Sequence, residues 1–205
     1  MYSGSQDRLL PKLLAAPLKL VSFDASPQGY TRSPARPMPY DVIGTFAELR
    51  KRAGTVSTPN SAGYSFSDEA PAGGRPATHV TVRYPMARVD AQWSPARKRW
   101  LLSMDGVQDK ASEGGQLGPT TFVVQFSTVR QTSYKDVNGV RTPKTKTVGS
   151  GRALIFRDGQ VYEGQWQRDN PADPTTYTIG GQAAQFAPGQ VWVALIGRDR
   201  PVTVK

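Results

Sequence analysis

The fold is decided by residues Val148–Trp166, VGSGRALIFRDGQVYEGQW. An Asp-Gly pair between two apolar runs is a strong hairpin signal, because a type I′ turn needs a positive φ at both central residues. We therefore predict two antiparallel strands joined by a turn at Asp158-Gly159. The register that follows pairs Phe156 with Val161, Ile155 with Tyr162, Leu154 with Glu163, Ala153 with Gly164 and Gly151 with Trp166.

Alternation along these strands divides their side chains between two faces. One face carries Leu154, Phe156 and Val161, with Arg152, Glu163 and Gln165 at its open end. The other face carries Ala153, Ile155, Tyr162 and Trp166. Both faces are largely apolar, which predicts a central strand pair. Glycine weakens a strand unless a bulky neighbour needs the space, so Gly151 and Gly164 are expected to make room for neighbours such as the Trp166 indole.

The rest of the chain has the composition of a strand-rich protein, with 20 Gly and 17 Pro among its 205 residues. A T-x-x-E capping box at Thr45 and Glu48 predicts a helix over Phe46–Ala53 that ends at Gly54. Leucines at helical spacing predict a short helix over Leu10–Ala16. A second turn is predicted at Asn138-Gly139, a Gly-rich loop over Asp105–Thr120, and strands at Thr78–Tyr84, Arg88–Trp93, Arg99–Met104, Phe122–Val129, Thr175–Ile179 and Gln190–Ile196.

These elements predict an α+β protein. A small helical or mixed N-terminal segment over residues 1–55 is followed by a Pro- and Gly-rich linker over 56–77, with a short strand predicted at Tyr64–Phe66. Residues 78–205 are predicted to form a β-rich domain of mainly antiparallel strands, arranged as a barrel or a sandwich.

Charge favours an anionic partner, because 26 Lys and Arg against 16 Asp and Glu give a net charge of +10. Solubility alone is an equally good explanation of that charge. The absence of cysteine excludes disulfides and thiolate ligands. His79 is the single histidine, so a Ser-His-Asp triad and a His-ligated metal site are not expected, and no cofactor is predicted. The sequence shows no signal peptide and no membrane-spanning run, and it is interpreted either as a piece of a longer protein or as a shortened version of one.

Three groups of side chains are candidate contacts for a ligand. Guanidinium groups on a rigid Pro-rich segment suit phosphate or carboxylate groups, and Glu163 is expected to form an ion pair with Arg152 on the hairpin. The third group, a basic arm, consists of lysines and arginines that flank the Asn-Gly turn and suit a polyanion. The members are Arg32, Arg36, Tyr40 and Asp41 in the first group, Arg152 and Glu163 in the second, and Arg130, Lys135, Arg141, Lys144 and Lys146 in the third.

The C-terminal half also contains four short motifs in a fixed order. They are Gly149-x-Gly151-x-Ala153, Arg157-Asp158-Gly159, Gly164-x-Trp166 and Pro188-Gly189-x-x-Trp192-Val193. This order resembles the C-terminal part of the YerB-like lipoproteins, bacterial envelope proteins that contain a domain of unknown function. The resemblance marks Asp158, Gly159, Gly164, Trp166 and Trp192 as structural residues. The family's His-Asn pair is replaced here by Tyr40-Asp41, so no histidine chemistry is implied.

The resemblance implies a non-catalytic binding or scaffolding module outside the cytoplasm, membrane-anchored in the full-length family by a segment that this chain lacks. Its expected partner is an anionic envelope polymer or a membrane surface. One alternative is an enzyme acting on an envelope polysaccharide or peptide through Arg32, Tyr40, Asp41 or Glu163. Another is nucleic-acid binding through the basic arm, which no nucleic-acid-binding motif supports.

Overall fold

The computed structural model describes residues 11, 14–15, 19–38, 40–55, 61–111, 113–135 and 139–205. They belong to two compact units, Met1–Asn60 and Ser61–Lys205. Most of the predicted helix Leu10–Ala16 and Asn138 of the second predicted turn lie outside the described residues.

The first unit contains a short hairpin followed by a helix. Strand β1 (Tyr30–Arg32) pairs antiparallel with β2 (Val42–Gly44), and helix α1 covers Phe46–Ala53 as predicted. The capping box was only partly right. Thr45 occupies the N-cap position, but its side chain makes no capping hydrogen bond. Gly54 ends the helix with φ +66°, and its N–H donates to the Lys51 carbonyl.

The second unit consists of short strands. These are β3 (Ser65–Phe66), β4 (Arg75–Pro76), β5 (His79–Arg83), β6 (Arg88–Ser94), β7 (Arg99–Met104), β8 (Val107–Gln108), β9 (Thr121–Ser127), β10 (Val129–Lys135), β11 (Arg141–Thr145), β12 (Gly149–Arg157), β13 (Gln160–Arg168), β14 (Thr176–Ile179), β15 (Gln182–Ala183), β16 (Gln185–Phe186), β17 (Val191–Gly197) and β18 (Val202–Val204).

The predicted hairpin is the centre of the larger sheet. Strands β12 and β13 pair in the predicted register, and Asp158 and Gly159 have φ +51° and +72°. The sheet runs in the order β15-β14-β13-β12-β9-β17, with β4 also paired to β13. Its neighbours are antiparallel except for β9 and β17, which run parallel. The smaller sheet has the order β18-β5-β6-β7-β8 and is antiparallel throughout.

The two faces of the hairpin face two separate apolar cores, as the alternation predicts. Leu154, Phe156 and Val161 share the first core with residues of the five-stranded sheet such as Trp100, and Trp192 packs against this core. The second core contains Ala153, Ile155, Tyr162 and Trp166. Over the described residues the sheets stay open, so the predicted barrel is wrong and a sandwich-like arrangement of two sheets fits.

Trp166 explains why its partner in the register is a glycine. The buried indole donates from Nε1 to the Phe126 carbonyl at 2.9 Å. A Cβ on Gly151 would lie 2.7 Å from that Nε1 atom and 2.8 Å from that carbonyl oxygen. Likewise, a Cβ on Gly164 would lie 2.5 Å from the Thr178 carbonyl oxygen.

Several pairings were missed by the sequence prediction. The loop predicted over Asp105–Thr120 contains β8, which pairs with β7. In the segment predicted as a linker, the short strand predicted at Tyr64–Phe66 is present as β3, but its pairing with β16 and the pairing of β4 with β13 were not predicted. These strands have only two residues each, too few for alternation to be visible in the sequence.

Arg157 ties this segment to the hairpin. Its side chain is 1% exposed, and its guanidinium donates to the main-chain carbonyls of Asp68, Glu69 and Gln185. Its Nε also donates to the Asp158 carboxylate at 2.7 Å. A side chain predicted only to flank the turn is therefore a buried link between distant parts of the chain.

Candidate ligand-binding site

At the open end of the hairpin, the first face changes from apolar to polar. Arg152 and Glu163 lie diagonally across β12 and β13, because Arg152 is directly opposite Gln165 and Glu163 is opposite Leu154. Thr178 on β14 is opposite Gln165, so it extends the same polar surface onto a third strand.

The predicted ion pair is confirmed and is bidentate. Arg152 donates from Nε and Nη2 to the two carboxylate oxygens of Glu163, at 3.0 and 3.2 Å. Its guanidinium carbon lies 4.8 Å from the centre of the Phe126 ring, and an Arg75 nitrogen lies 3.6 Å from Glu163. Both partners of the ion pair are about half exposed, so the pair contributes at most about 1 kcal/mol to stability. Its geometry serves to orient Arg152.

Two adjoining cavities share Arg152, Ser150 and Gly151. The polar cavity, of about 600 Å³, is completed by Glu163, Gly164, Gln165, Thr178, Gly180 and Gly181. The cationic cavity, of about 440 Å³, is completed by Phe126 and Arg198. Arg198 donates from Nη2 to the Ser150 carbonyl at 2.8 Å. Arg152 therefore separates a cavity with two guanidinium groups from one with a carboxylate, an amide and a hydroxyl.

The candidates in the first unit form one close pair. Arg32 Nη1 lies 2.7 Å from Asp41 Oδ2, and the Arg32 guanidinium lies over the Phe23 ring at 5.0 Å. Asp41 is buried, and its Oδ1 atom has no hydrogen-bond partner among the described residues. Arg36 and Tyr40 are exposed and make no side-chain hydrogen bond within residues 19–38 and 40–55, so this part of the structure does not join them to the pair. As ligand contacts, all four residues stay a prediction.

The enzyme alternative would need groups from both units. Asp41 belongs to the first unit and Glu163 to the second. Each of these carboxylates is held by an arginine.

The basic arm is a two-stranded hairpin of β10 and β11. Its register places Arg130 opposite Lys144 and Lys135 opposite Arg141, so like charges face each other twice. All four residues are exposed. The base of the arm is closed by a hydrogen bond from the Lys146 amide to the Thr128 carbonyl at 2.8 Å.

His79 lies at the start of β5, in an arrangement that does not suit nucleophilic catalysis. Its Nε2 atom lies 3.1 Å from Asp90 Oδ1 and 3.4 Å from Thr81 Oγ1, while Thr81 donates directly to Asp90. A triad needs opposite ring nitrogens for the acid and the nucleophile. Burial acts to raise the pKa of Asp90, but hydrogen bonds from Thr81, His79 and Arg88 and the positive charge of Arg88 hold it below its ordinary value.

The described part of the chain contains no group of three or more His, Cys, Asp or Glu side chains that could hold a metal ion. No helix among these residues has the length and apolarity to cross a membrane.

The sequence indicated only part of the groove that the polar cavity and the cationic cavity form together. Arg152 and Glu163 were predicted to meet, whereas Phe126, Thr178 and Arg198 were not connected with them. Arg198 reaches Ser150 across 48 residues of sequence, through the non-local pairing of β17 with β9 and of β9 with β12. The available signal was weak, namely an arginine directly after an apolar strand.

Comparisons with known proteins identify the family. Residues 80–193 match the model described as protein of unknown function (DUF3048), C-terminal domain. Among solved structures, the chain is similar to the YerB protein from Bacillus subtilis, with a TM-score of 0.77 and 16% sequence identity, over 98% of this chain and 69% of that chain. A comparison with curated proteins gives no significant match.

At that identity the structural match shows the fold, and the YerB-like resemblance predicted from the sequence motifs is confirmed. The family match spans more than half of the chain. The chain therefore belongs to the DUF3048 family, proteins of unknown function, and contains the family's C-terminal domain.

Proposed function

We propose that this chain is a non-catalytic binding module of a YerB-like lipoprotein, located outside the cytoplasm, which attaches to an anionic polymer of the cell envelope. Membership of the DUF3048 family and the net charge of +10 support this proposal. Within the second unit, the basic arm is the surface best suited to such a partner.

The observation that carries the proposal is the pairing of like charges across the arm. Arg130 is directly opposite Lys144, and Lys135 is directly opposite Arg141. Like charges directly opposite in a sheet destabilise it, each pair by roughly 0.2–1 kcal/mol. Lys146 adds a fifth positive charge at the base. Negative groups spaced along a polymer would neutralise the repulsion between Arg130 and Lys144, so this pair gains most when a polyanion is bound.

The proposal is tested by co-sedimentation of the chain with isolated wall polymer and with vesicles containing phosphatidylglycerol. The test variant is R130Q/K144Q, which removes one opposed pair, and the matched control is R97Q/K110Q, which removes two exposed charges elsewhere. A cation near an anionic surface contributes about 1 kcal/mol, so the test variant should bind roughly 30-fold more weakly. The control should bind like the wild type.

The same variant separates binding from stability. Removal of one opposed pair should leave the free energy of unfolding unchanged or raise it by up to about 1 kcal/mol. The proposal is overturned if the wild type binds neither the polymer nor the vesicles. It is also overturned if R130Q/K144Q binds as tightly as the wild type. Tighter binding to duplex DNA than to wall polymer, at equal phosphate concentration and equal salt, would favour the nucleic-acid alternative.

A further inference from the structure

Arg152 presents its guanidinium in a fixed orientation between the two cavities. Glu163 engages Nε and Nη2, and the Phe126 ring lies against the guanidinium plane. Nη1 makes no hydrogen bond within the described part of the chain. A guanidinium that is already oriented loses little freedom when it binds an anion.

Arg198 supplies the second positive charge of the cationic cavity. It directly follows β17, whose last residue Gly197 is opposite Ser127 on β9. One nitrogen is occupied by the Ser150 carbonyl, and the exposed guanidinium has further donors. Glu163 lines the polar cavity, and the cationic cavity has no carboxylate in its lining. Two guanidinium groups against one small cavity suit a phosphate, whose oxygens accept hydrogen bonds from several directions.

The polar cavity has the donors and acceptors of a site for hydroxyl groups. Glu163 and Gln165 supply carboxylate and amide oxygens, and Thr178 lies beside them. Gly151 and Gly164 contribute only main-chain atoms to the lining, and a Cβ at either position would point away from the groove, towards Trp166 or the Thr178 carbonyl.

The cationic cavity also adjoins the base of the basic arm. The position of a Cβ on Gly149, next to Ser150, lies 3.9 Å from Lys146 Nζ. The equivalent position on Gly197, next to Arg198, lies 2.8 Å from Asp199 Oδ1 and 3.8 Å from Val129 at the start of the arm. The base of the arm therefore lies next to the cationic cavity.

We propose that the groove recognises one sugar-phosphate or polyol-phosphate unit, with the phosphate between Arg152 and Arg198 and the hydroxyl groups against Glu163, Gln165 and Thr178. This inference rests on the proposed function, because it names the repeating unit of the polymer that the arm holds. A concave site of this kind favours a polymer segment over a flat membrane surface.

The test uses the full chain and small soluble probes. Glycerol 3-phosphate is titrated into isotopically labelled protein, and the resonances of the Arg152 and Arg198 Nε–H groups and the Gly151 and Gly164 amides are followed by NMR. Saturable shifts at these resonances are expected at millimolar probe. Inorganic phosphate should bind more weakly and glycerol alone should cause no shift, because only the joined molecule contacts both cavities.

Substitutions then assign the site. R198Q changes an exposed side chain, and it should weaken glycerol 3-phosphate binding about tenfold, as expected for the loss of a charged hydrogen bond. R97Q should have no effect. R130Q/K144Q should lose affinity for wall polymer but bind glycerol 3-phosphate like the wild type. This difference separates failure of the arm from failure of the groove. No shift at the four groove positions overturns the inference, as does unchanged binding by R198Q, even if polymer binding by the arm is confirmed.

A last comparison identifies the source of the phosphate. R198Q should lose affinity for isolated wall polymer while binding phosphatidylglycerol vesicles like the wild type. The reverse result would overturn the polymer assignment and place a lipid headgroup in the cationic cavity. Tighter binding of glucuronate than of glycerol 3-phosphate would overturn the choice of phosphate.

Discussion

Substitution of Gly151 by alanine should destabilise the second unit through a steric conflict with two fixed groups. The added Cβ would lie 2.7 Å from Trp166 Nε1 and 2.8 Å from the Phe126 carbonyl oxygen. One neighbour is a buried indole and the other is main chain, so neither can yield cheaply. Gly151 does not have a positive φ, so backbone strain does not contribute.

The expected loss has two parts. Overpacking of this kind costs about 1–3 kcal/mol. If the Cβ separates Trp166 Nε1 from the Phe126 carbonyl, the buried N–H loses its acceptor, and this adds about 1–3 kcal/mol. We therefore expect G151A to lower the free energy of unfolding by about 3 kcal/mol.

The measurement is urea unfolding followed by far-UV circular dichroism. With a urea dependence of about 1–3 kcal/mol/M, the midpoint should fall by about 1 M or more. S150A, at the neighbouring exposed position, should shift it little. In a W166F background the alanine should cost at least about 1 kcal/mol less, because part of the conflict is gone. The reasoning would be refuted by a midpoint for G151A within error of the wild type. It would also be refuted if the effects of G151A and W166F on the free energy of unfolding were strictly additive.

Three further substitutions test separate features by the same assay. R157A should cost about 3–5 kcal/mol, because three main-chain carbonyls lose a charged hydrogen-bond donor, and R157K should recover only part of this because lysine lacks the planar fork of donors. A cost below about 1 kcal/mol for R157A would contradict its role. G159A should cost about 2 kcal/mol or more, since φ is +72° and the Cβ would lie 2.9 Å from Trp93 Nε1; wild-type stability would argue against the type I′ turn. The pKa of Asp90 is lowered in the folded chain, so the Asp90 carboxylate should stabilise the fold fully when the pH is above the ordinary aspartate pKa of about 3.9. This stabilisation should be lost as the pH falls through the lowered pKa. The difference in stability between wild type and D90N should therefore shrink as the pH falls below about 4, and a constant difference would contradict the assignment.

Local signals explain what could be predicted from the sequence. The turn at Asp158-Gly159 and the alternation beside it lie within 19 consecutive residues, and together they predict the register and both faces. Helix α1 was predicted from equally local signals, because its limits follow from Thr45 and Gly54.

Features formed between distant segments could not be predicted in this way. The parallel pairing of β17 with β9 joins residues about 70 positions apart, and neither strand contains a signal for it. For the same reason, only the part of the groove that lies on the hairpin could be predicted from the sequence. Arg152 and Glu163 are related by the hairpin, whereas Arg198 arrives through that parallel pairing. Arg157 was predicted only to flank the turn, because its main-chain partners lie 28, 88 and 89 residues away in the sequence.

The buried Arg157 guanidinium has a consequence for the order in which the chain folds. Two of the carbonyls that it binds, those of Asp68 and Glu69, precede Arg157 by almost 90 residues, so we expect them to acquire their partner only after β12 and β13 have paired. We expect the segment around these residues to dock last and to open first. Hydrogen exchange should then show amides near Ser67 and Glu69 exchanging well before those of Ile155 and Tyr162, and R157K should accelerate the first pair selectively.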